Sequence, residues 1–396
     1  MSLAFEGAPS VREVGGRRAL CATLAVTAPI VIQPLVRIRF EGPGAAVGAA
    51  SSDTFYVGWL PRGRYAVECF LPDTMAEGTW TATLEALHKE GMEFVAAGTA
   101  TAPVKVGAAK GSGAGLSWNV EGIAPTPRLA DLSWKKGASD WFFRHFDHAG
   151  PTIMSYLLKD APQLKGRILD VGCGDGITDL SIAIRTGCKE LVGIDPFHGY
   201  DRLAEVMAEN HLPPDAWPKN LRFAAEDGRK LPYGDDEFDV IISWGSVEHM
   251  AQGYLAALDE MRRVLKPGGL LFIHPGLYYS NYGHHLGEFS SEPFFHLKKP
   301  LEEIHRIVMT TPPSRMDRAG HVARPEEYWQ WFRELQPITV TQFERELRER
   351  DLQPWRVAIR TEDVIEYTAE IESYPMQDLA TAELYVSCVN RKKPAA

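Results

Sequence analysis

The chain has 396 residues, 45% of them hydrophobic and 24% charged, proportions that exclude global disorder and fibrous repeats. At this length a single core does not suffice, and two or three domains are expected. The formal net charge is −10, with Lys/Arg and Asp/Glu balanced over residues 1–117, so no basic face is offered to a nucleic acid.

The N-terminal stretch opens without the basic start and apolar run of a signal peptide, and no run of about 18 apolar residues could span a bilayer, so no membrane span and a cytoplasmic location are expected. From residue 19 to about 106, short apolar runs at 24–32, 35–40, 54–60, 65–71, 79–87 and 94–104 are punctuated by Pro-Arg-Gly, Pro-Asp and Glu-Gly turns. This predicts an all-β sandwich domain over residues 1–106. Residues 107–117, with GAAKGSGAG at their centre, have little to pack and read as a linker.

Residues 118–396 begin with Trp134, Trp141, Phe142 and Phe143 and then alternate strands with amphipathic helices. Strands are predicted at 167–171, 190–194, 221–224, 238–243 and 270–274, with helices at 179–186, 203–210 and 254–265. An α/β domain with helices on both faces of its sheet follows. Residues of about 276–345, rich in His and aromatic side chains and broken by Pro300, Pro312 and Pro313, interrupt the alternation as a lid before strand patterns resume at 355–360 and 382–390. Arg391, Lys392 and Lys393 read as a solvated basic tail. Cys21, Cys69, Cys173, Cys188 and Cys388 form no CxxC pair and read as reduced thiols.

The most specific signal is Ile168-Leu169-Asp170-Val171-Gly172-Cys173-Gly174-Asp175-Gly176, an apolar strand running into a glycine turn that lets a ligand approach the backbone. Asp195 ends the next strand, where a carboxylate can accept hydrogen bonds from both hydroxyls of a ribose. The G-x-G-x-G spacing departs from the G-x-G-x-x-G of dinucleotide sites, and Asp170 suits a cationic amino-acid tail better than a pyrophosphate. The combination points to S-adenosylmethionine as cofactor.

Leu231-Pro232-Tyr233, then Phe238-Asp239-Val240-Ile241-Ile242-Ser243, then Met261-Arg262-Arg263-Val264-Leu265-Lys266-Pro267-Gly268-Gly269, in that order and spacing, resemble the later motifs of class I, Rossmann-like S-adenosylmethionine-dependent methyltransferases. The resemblance covers about residues 165–275 and implies a mixed seven-stranded sheet. It also implies that the loop Gly172, Cys173, Gly174 and Gly176 lines the methionine portion, that Asp195 binds ribose, that Asp227 and Gly228 meet the adenine edge, and that Ser243 and Trp244 border the cofactor. Lys266-Pro267-Gly268-Gly269 reads as a helix-to-strand turn. Phe55–Tyr65 and Gly78–Leu84 resemble the glycan-binding β-sandwich of O-antigen polysaccharide exporters, the other reading being a docking or dimerising sandwich through which the chain forms a homo-oligomer.

A hydroxyl acceptor gains from a nearby base. His274, His284, His285, His296, His305 and His321 crowd the region after the fifth predicted strand, and Glu248-His249 follows the fourth. His249, His284, His285 and Glu288 are the catalytic candidates. If the stretch were helical, His284 and Glu288 would share a face as metal ligands, but the preceding Ser-Asn-Tyr-Gly reads as a turn and no metal site is expected. Trp329, Trp331 and Phe332 read as core of a lid helix. The leading function is O-methylation of a sugar or glycan hydroxyl. The alternatives are methylation of a small metabolite at oxygen, nitrogen or carbon, and a non-catalytic scaffold that keeps the fold.

Overall fold

The computed structural model describes residues 3–26, 35–42, 50–51, 63–90, 93–108, 117–123, 140–210, 212–313, 324–362 and 364–393. Trp134, His321, most of the expected linker and the expected strand at 54–60 lie outside them. The chain divides into two compact units, residues 1–136 and 137–396. No helix among the described residues is long and apolar enough to cross a membrane.

The first unit contains β1 (Leu3–Val14), β2 (Arg17–Val26), β3 (Leu35–Glu41), β4 (Ala50–Ser51), β5 (Gly63–Phe70), β6 (Gly78–Glu90), β7 (Glu93–Val106) and β8 (Ser117–Ile123). They form two antiparallel sheets, ordered β1-β2-β5-β8 and β4-β3-β6-β7. Gly15 and Gly16 both have positive φ, the backbone a two-residue hairpin needs to join strands of right-handed twist. Alternate residues point inward: Leu20, Val36, Ile38, Cys69, Trp80, Leu84 and Val104 from both sheets make one core. Arg18 is buried, and its guanidinium donates to the carbonyls of Met75, Gly107, Pro72 and Asp73, so its charge is satisfied by backbone rather than by an acid. Strand β8 pairs with β5, although it follows the glycine-rich stretch and was expected in the second domain.

The second unit opens with a short helix, α1 (Asp140–Phe143), that continues into the π-helical turns Arg144–Ala149 and Thr152–Leu157. Its sheet comprises β9 (Arg167–Val171), β10 (Glu190–Ile194), β11 (Leu221–Ala224), β12 (Phe238–Trp244), β13 (Leu265–His274), β14 (Leu352–Thr361) and β15 (Thr381–Asn390). The order is β11-β10-β9-β12-β13-β15-β14. The first five strands are parallel and β15 runs antiparallel to both neighbours. Helices α2 (Ile177–Thr186), α3 (Leu203–Glu209) and α4 (Leu255–Val264) make the crossovers. Ile168, Leu169 and Val171 on β9 are all buried, the continuous apolar pattern of a strand covered on both faces. The chain leaves β11 at one edge and re-enters as β12 on the far side of β9. The crevice at the carboxyl ends of β9 and β12 is therefore the topological switch point, where open α/β sheets place their ligands.

Two expectations need correction. Lys266-Pro267-Gly268-Gly269 is not a turn ahead of a strand: β13 starts at Leu265, and the four residues bulge out between the pairs Phe238↔Leu265 and Val240↔Leu270, with Gly268 at φ +75°. Lys392 is not solvated tail. Its ammonium donates to the carbonyls of Arg262 and Arg263 and pairs with Asp236, placing a cation on the carboxyl end of α4.

Between β13 and β14 stand α5 (Phe295–Lys298), α6 (Leu301–Thr310), α7 (Pro325–Glu334) and α8 (Val340–Glu349). Pro300 and Pro325 begin helices here, since the missing N–H is one the first turn leaves without an internal partner. Leu286, Phe289, Phe295, Ile304, Val308, Tyr328 and Phe332 form a separate small core with Trp329 and Trp331 packed against it. Helix α8 instead sends Val340, Phe343 and Leu347 into the main core.

Candidate functional site

Gly172, Gly174 and Gly176 have φ of +84°, +56° and +75°, left-handed backbone that disfavours any side chain. The reason for each glycine differs. A Cβ on Gly172 would lie 2.2 Å from Ser246 Cβ, and one on Gly176 would lie 2.5 Å from the Phe223 ring, whereas one on Gly174 would meet nothing within 4 Å. Gly174 thus faces open space at the mouth of the crevice. The amides of Gly172 and Cys173 both donate to the Ile194 carbonyl, which fixes the loop against β10. Burial raises the Cys173 thiol pKa well above its ordinary value, so it stays neutral.

The Asp195 carboxylate accepts from the Gly174 amide at 3.1 Å and the Phe197 amide at 2.8 Å. Burial raises its pKa, and these two amides oppose the rise. Asp170 is buried against Asp179, itself fully buried on α2, and one Asp170 oxygen and both Asp179 oxygens lack a hydrogen-bond donor. Desolvation raises both carboxyl pKa values, with each other's charge adding to the rise of Asp179. A buried acidic pair beneath an open glycine loop fits the cationic end of an amino acid.

The unfolded chain ionises such carboxyls above pH of about 4, while the folded chain retains protons toward pH about 7 at Asp170. Folding then binds protons, so this pair's contribution to stability is greatest below pH of about 4 and declines as pH rises toward neutrality. Urea unfolding of the cofactor-free chain across that range should therefore show a stability gap in favour of Asp179→Asn that widens with pH. Parallel pH profiles for the two proteins would refute proton uptake by this pair on folding.

At the end of β12, Ser243 and Ser246 hydroxyls are 2.6 Å apart and both lie within hydrogen-bond distance of the Val171 carbonyl, so one donates to the other and the other to Val171, tying β12 to β9 beside the glycine loop. Trp244 packs on Phe272, His274 and Tyr385, on the β13 and β15 side. The Asp227 carboxylate is engaged by the Arg229 guanidinium, which also lowers its pKa. Gly228 sits where a Cβ would lie 2.6 Å from Val171.

A second cluster gathers at the 3₁₀ turn Val247–His249. His249 Nε2 lies 2.9 Å from His285 Nδ1 and 3.9 Å from the carboxylate of buried Glu248. His285 reaches it from a left-handed backbone, φ +50°. The Gln336 amide donates to the Glu248 carbonyl and holds the lid to this turn. His284 does not join them: it is fully buried, accepts the Leu286 amide at Nδ1 and packs on Phe295 and His296. Burial pushes its pKa down to about 3. Residues 281–289 are turns rather than helix, so His284 and Glu288 share no helical face, and Glu288 is buried. His296 donates from Nε2 to the Tyr278 carbonyl, and His274 stacks on Tyr385. Two residues to which sequence reasoning gave no role matter here, Asp179 and Trp141, whose indole donates to Asp175 in the glycine loop, while Glu248 was named with His249 but not among the catalytic candidates.

Residues 169–273 match the family model described as a methyltransferase domain. An uncharacterized methyltransferase of Schizosaccharomyces pombe is 32% identical over 30% of this chain and 42% of its own length. Demethylmenaquinone methyltransferase of Staphylococcus aureus is 33% identical over 29% of this chain and 45% of its own. The chain thus spans less than half the length of these relatives. A solved SAM-dependent methyltransferase structure from Methanosarcina mazei is 18% identical, covering 57% of this chain and 93% of that one with a TM-score of 0.36. The family-model match falls on the strands and loops that build the crevice, so residues 169–273 are similar to a methyltransferase domain, and the seven-stranded sheet of the second unit has the Rossmann-like methyltransferase fold.

Proposed function

We propose that the chain is an S-adenosylmethionine-dependent methyltransferase whose acceptor is a hydroxyl, that of a sugar or glycan. The observation that carries it is the open Gly174 flanked by the Asp195 carboxylate and the buried Asp170–Asp179 pair at the switch point, with the imidazoles of His249, after β12, and His285, after β13, facing each other. Asp195 would take the ribose, Asp170 the ammonium end, and the loop of Gly172, Cys173, Gly174 and Gly176 the chain between them. Gly228, Asp227, Ser243 and Trp244 would complete the wall.

The bound cofactor supplies an electrophilic methyl group and its own leaving group. What remains for the chain is to orient the acceptor, exclude water and receive a proton. His249 and His285, hydrogen-bonded through facing nitrogens, can take the hydroxyl proton on one ring while the other stabilises it. The choice of a sugar rests on the exporter-like stretch Gly78–Leu84 in the N-terminal sandwich. Trp80 of that stretch is core, 1% exposed, so a glycan would meet the outward residues of β6.

Calorimetric titration with S-adenosylmethionine and S-adenosylhomocysteine tests the cofactor, and labelled methyl transfer to a panel of sugars and small metabolites tests the acceptor. Micromolar binding of both ligands and label on a sugar oxygen are the expected results. An intact, folded chain that binds neither ligand would overturn the proposal.

A further inference from the structure

We infer that Glu248, His249 and His285 form a binding site for one divalent transition-metal ion. Their donor atoms all lie within 4.8 Å of one another, the one such group among the described residues. Two imidazoles with one carboxylate are a donor set used for zinc and for other first-row divalent ions, and three protein ligands leave a position open. Ligand atoms around a tetrahedral zinc stand about 3.3 Å apart. The 2.9 Å between His249 Nε2 and His285 Nδ1 and the 3.9 Å from His249 Nε2 to Glu248 Oε1 bracket that spacing, and the remaining pair, His285 and Glu248, lies within 4.8 Å.

Each ligand is held from a different direction. Glu248 and His249 come from one 3₁₀ turn whose Glu248 carbonyl is fastened by Gln336. His285 comes from the lid, in a backbone conformation that aims Nδ1 at His249. Glu248 is only 2% exposed, and a cation is held more strongly by a carboxylate shielded from water than by one in solvent. Binding would take the lone pairs of both facing nitrogens and leave the outer nitrogens protonated, so in the ion-bound chain these imidazoles hold the ion and an acceptor hydroxyl would lose its proton to solvent instead. The open position, at the carboxyl edge of the sheet, suits an oxygen ligand. Using it for an acceptor hydroxyl rests on the proposed methyl transfer, whereas metal binding does not.

The full chain, stripped with chelator, is titrated with Co2+ followed by visible absorption and with Zn2+ followed by calorimetry, without cofactor or acceptor. One ion per chain with a low-coordinate cobalt spectrum is expected. His285→Ala and His249→Ala should abolish the spectrum, and Glu248→Gln should weaken binding at least tenfold. His305→Ala, exposed on α6, should change nothing. Far-ultraviolet dichroism and S-adenosylhomocysteine binding confirm that each variant is folded. No ion bound by the folded wild-type chain, or a spectrum that persists in both histidine variants, overturns the inference. Either result leaves the methyltransferase reading to its own titration.

Discussion

Gly174→Ala is expected to weaken S-adenosylmethionine binding by about 100-fold, roughly 3 kcal/mol, while costing the fold only about 1 kcal/mol. The small structural cost follows from geometry: a methyl at this position meets no protein atom within 4 Å, leaving only the penalty for a side chain at φ +56°. The large binding cost follows from the same fact, because the space the methyl enters is the space a ligand must use. Gly172→Ala should show the opposite balance. Its Cβ would overlap Ser246, whose hydroxyl is bound to Val171, so strain and overpacking together cost about 3 kcal/mol of stability. Denaturant unfolding and calorimetry on the two variants separate the effects. Wild-type affinity in Gly174→Ala would remove the loop from the binding wall.

Asp195→Ala should cost about as much affinity as Gly174→Ala. The substitution removes a charged acceptor, and hydrogen bonds to a charged group are worth about 1.5–3 kcal/mol each. It also releases the amides of Gly174 and Phe197 from their shared anchor. A cofactor analogue lacking both ribose hydroxyls distinguishes the two contributions: it should bind wild type and Asp195→Ala with nearly equal affinity if the carboxylate reads the ribose. Additive losses would instead mean that Asp195 only anchors the loop.

Strands β9 and β10 were legible to the residue, since each is a short, mostly buried apolar run followed by Gly172 or Asp195, and the edge strand β11 was legible from Leu221 and Phe223 although Arg222 between them is exposed. Strand β1 was missed because Gly7, Pro9 and three charged residues dilute its alternation, and its place is set by pairing with β2. Strand β8 owes its existence to β5, a partner no local pattern reveals. The geometry of the glycine loop and of Asp195 was readable because each sits at the end of a strand. The cluster around His249 was only half readable. His284 and His285 are neighbours in sequence, yet one is core and the other reaches His249, and the difference is a left-handed backbone at His285 that depends on the lid's own packing. Asp179 looks like an ordinary polar residue on a helix until α2 is docked over β9 and β10.

The position of β15 has a consequence for how the molecule is made. It is the last strand in chain order yet lies between β13 and β14, pairing Leu270 with Val389 and Leu352 with Asn390. The parallel half can assemble from neighbouring segments, but the outer edge of β13 stays open until residues on the order of a hundred positions downstream arrive, a loop closure that slows folding. During synthesis β13 therefore waits as an exposed, apolar edge, the kind of surface on which nascent chains pair wrongly with one another. Completion of the sheet, rather than formation of the ligand crevice, is the step at which this chain depends most on being held apart from its copies.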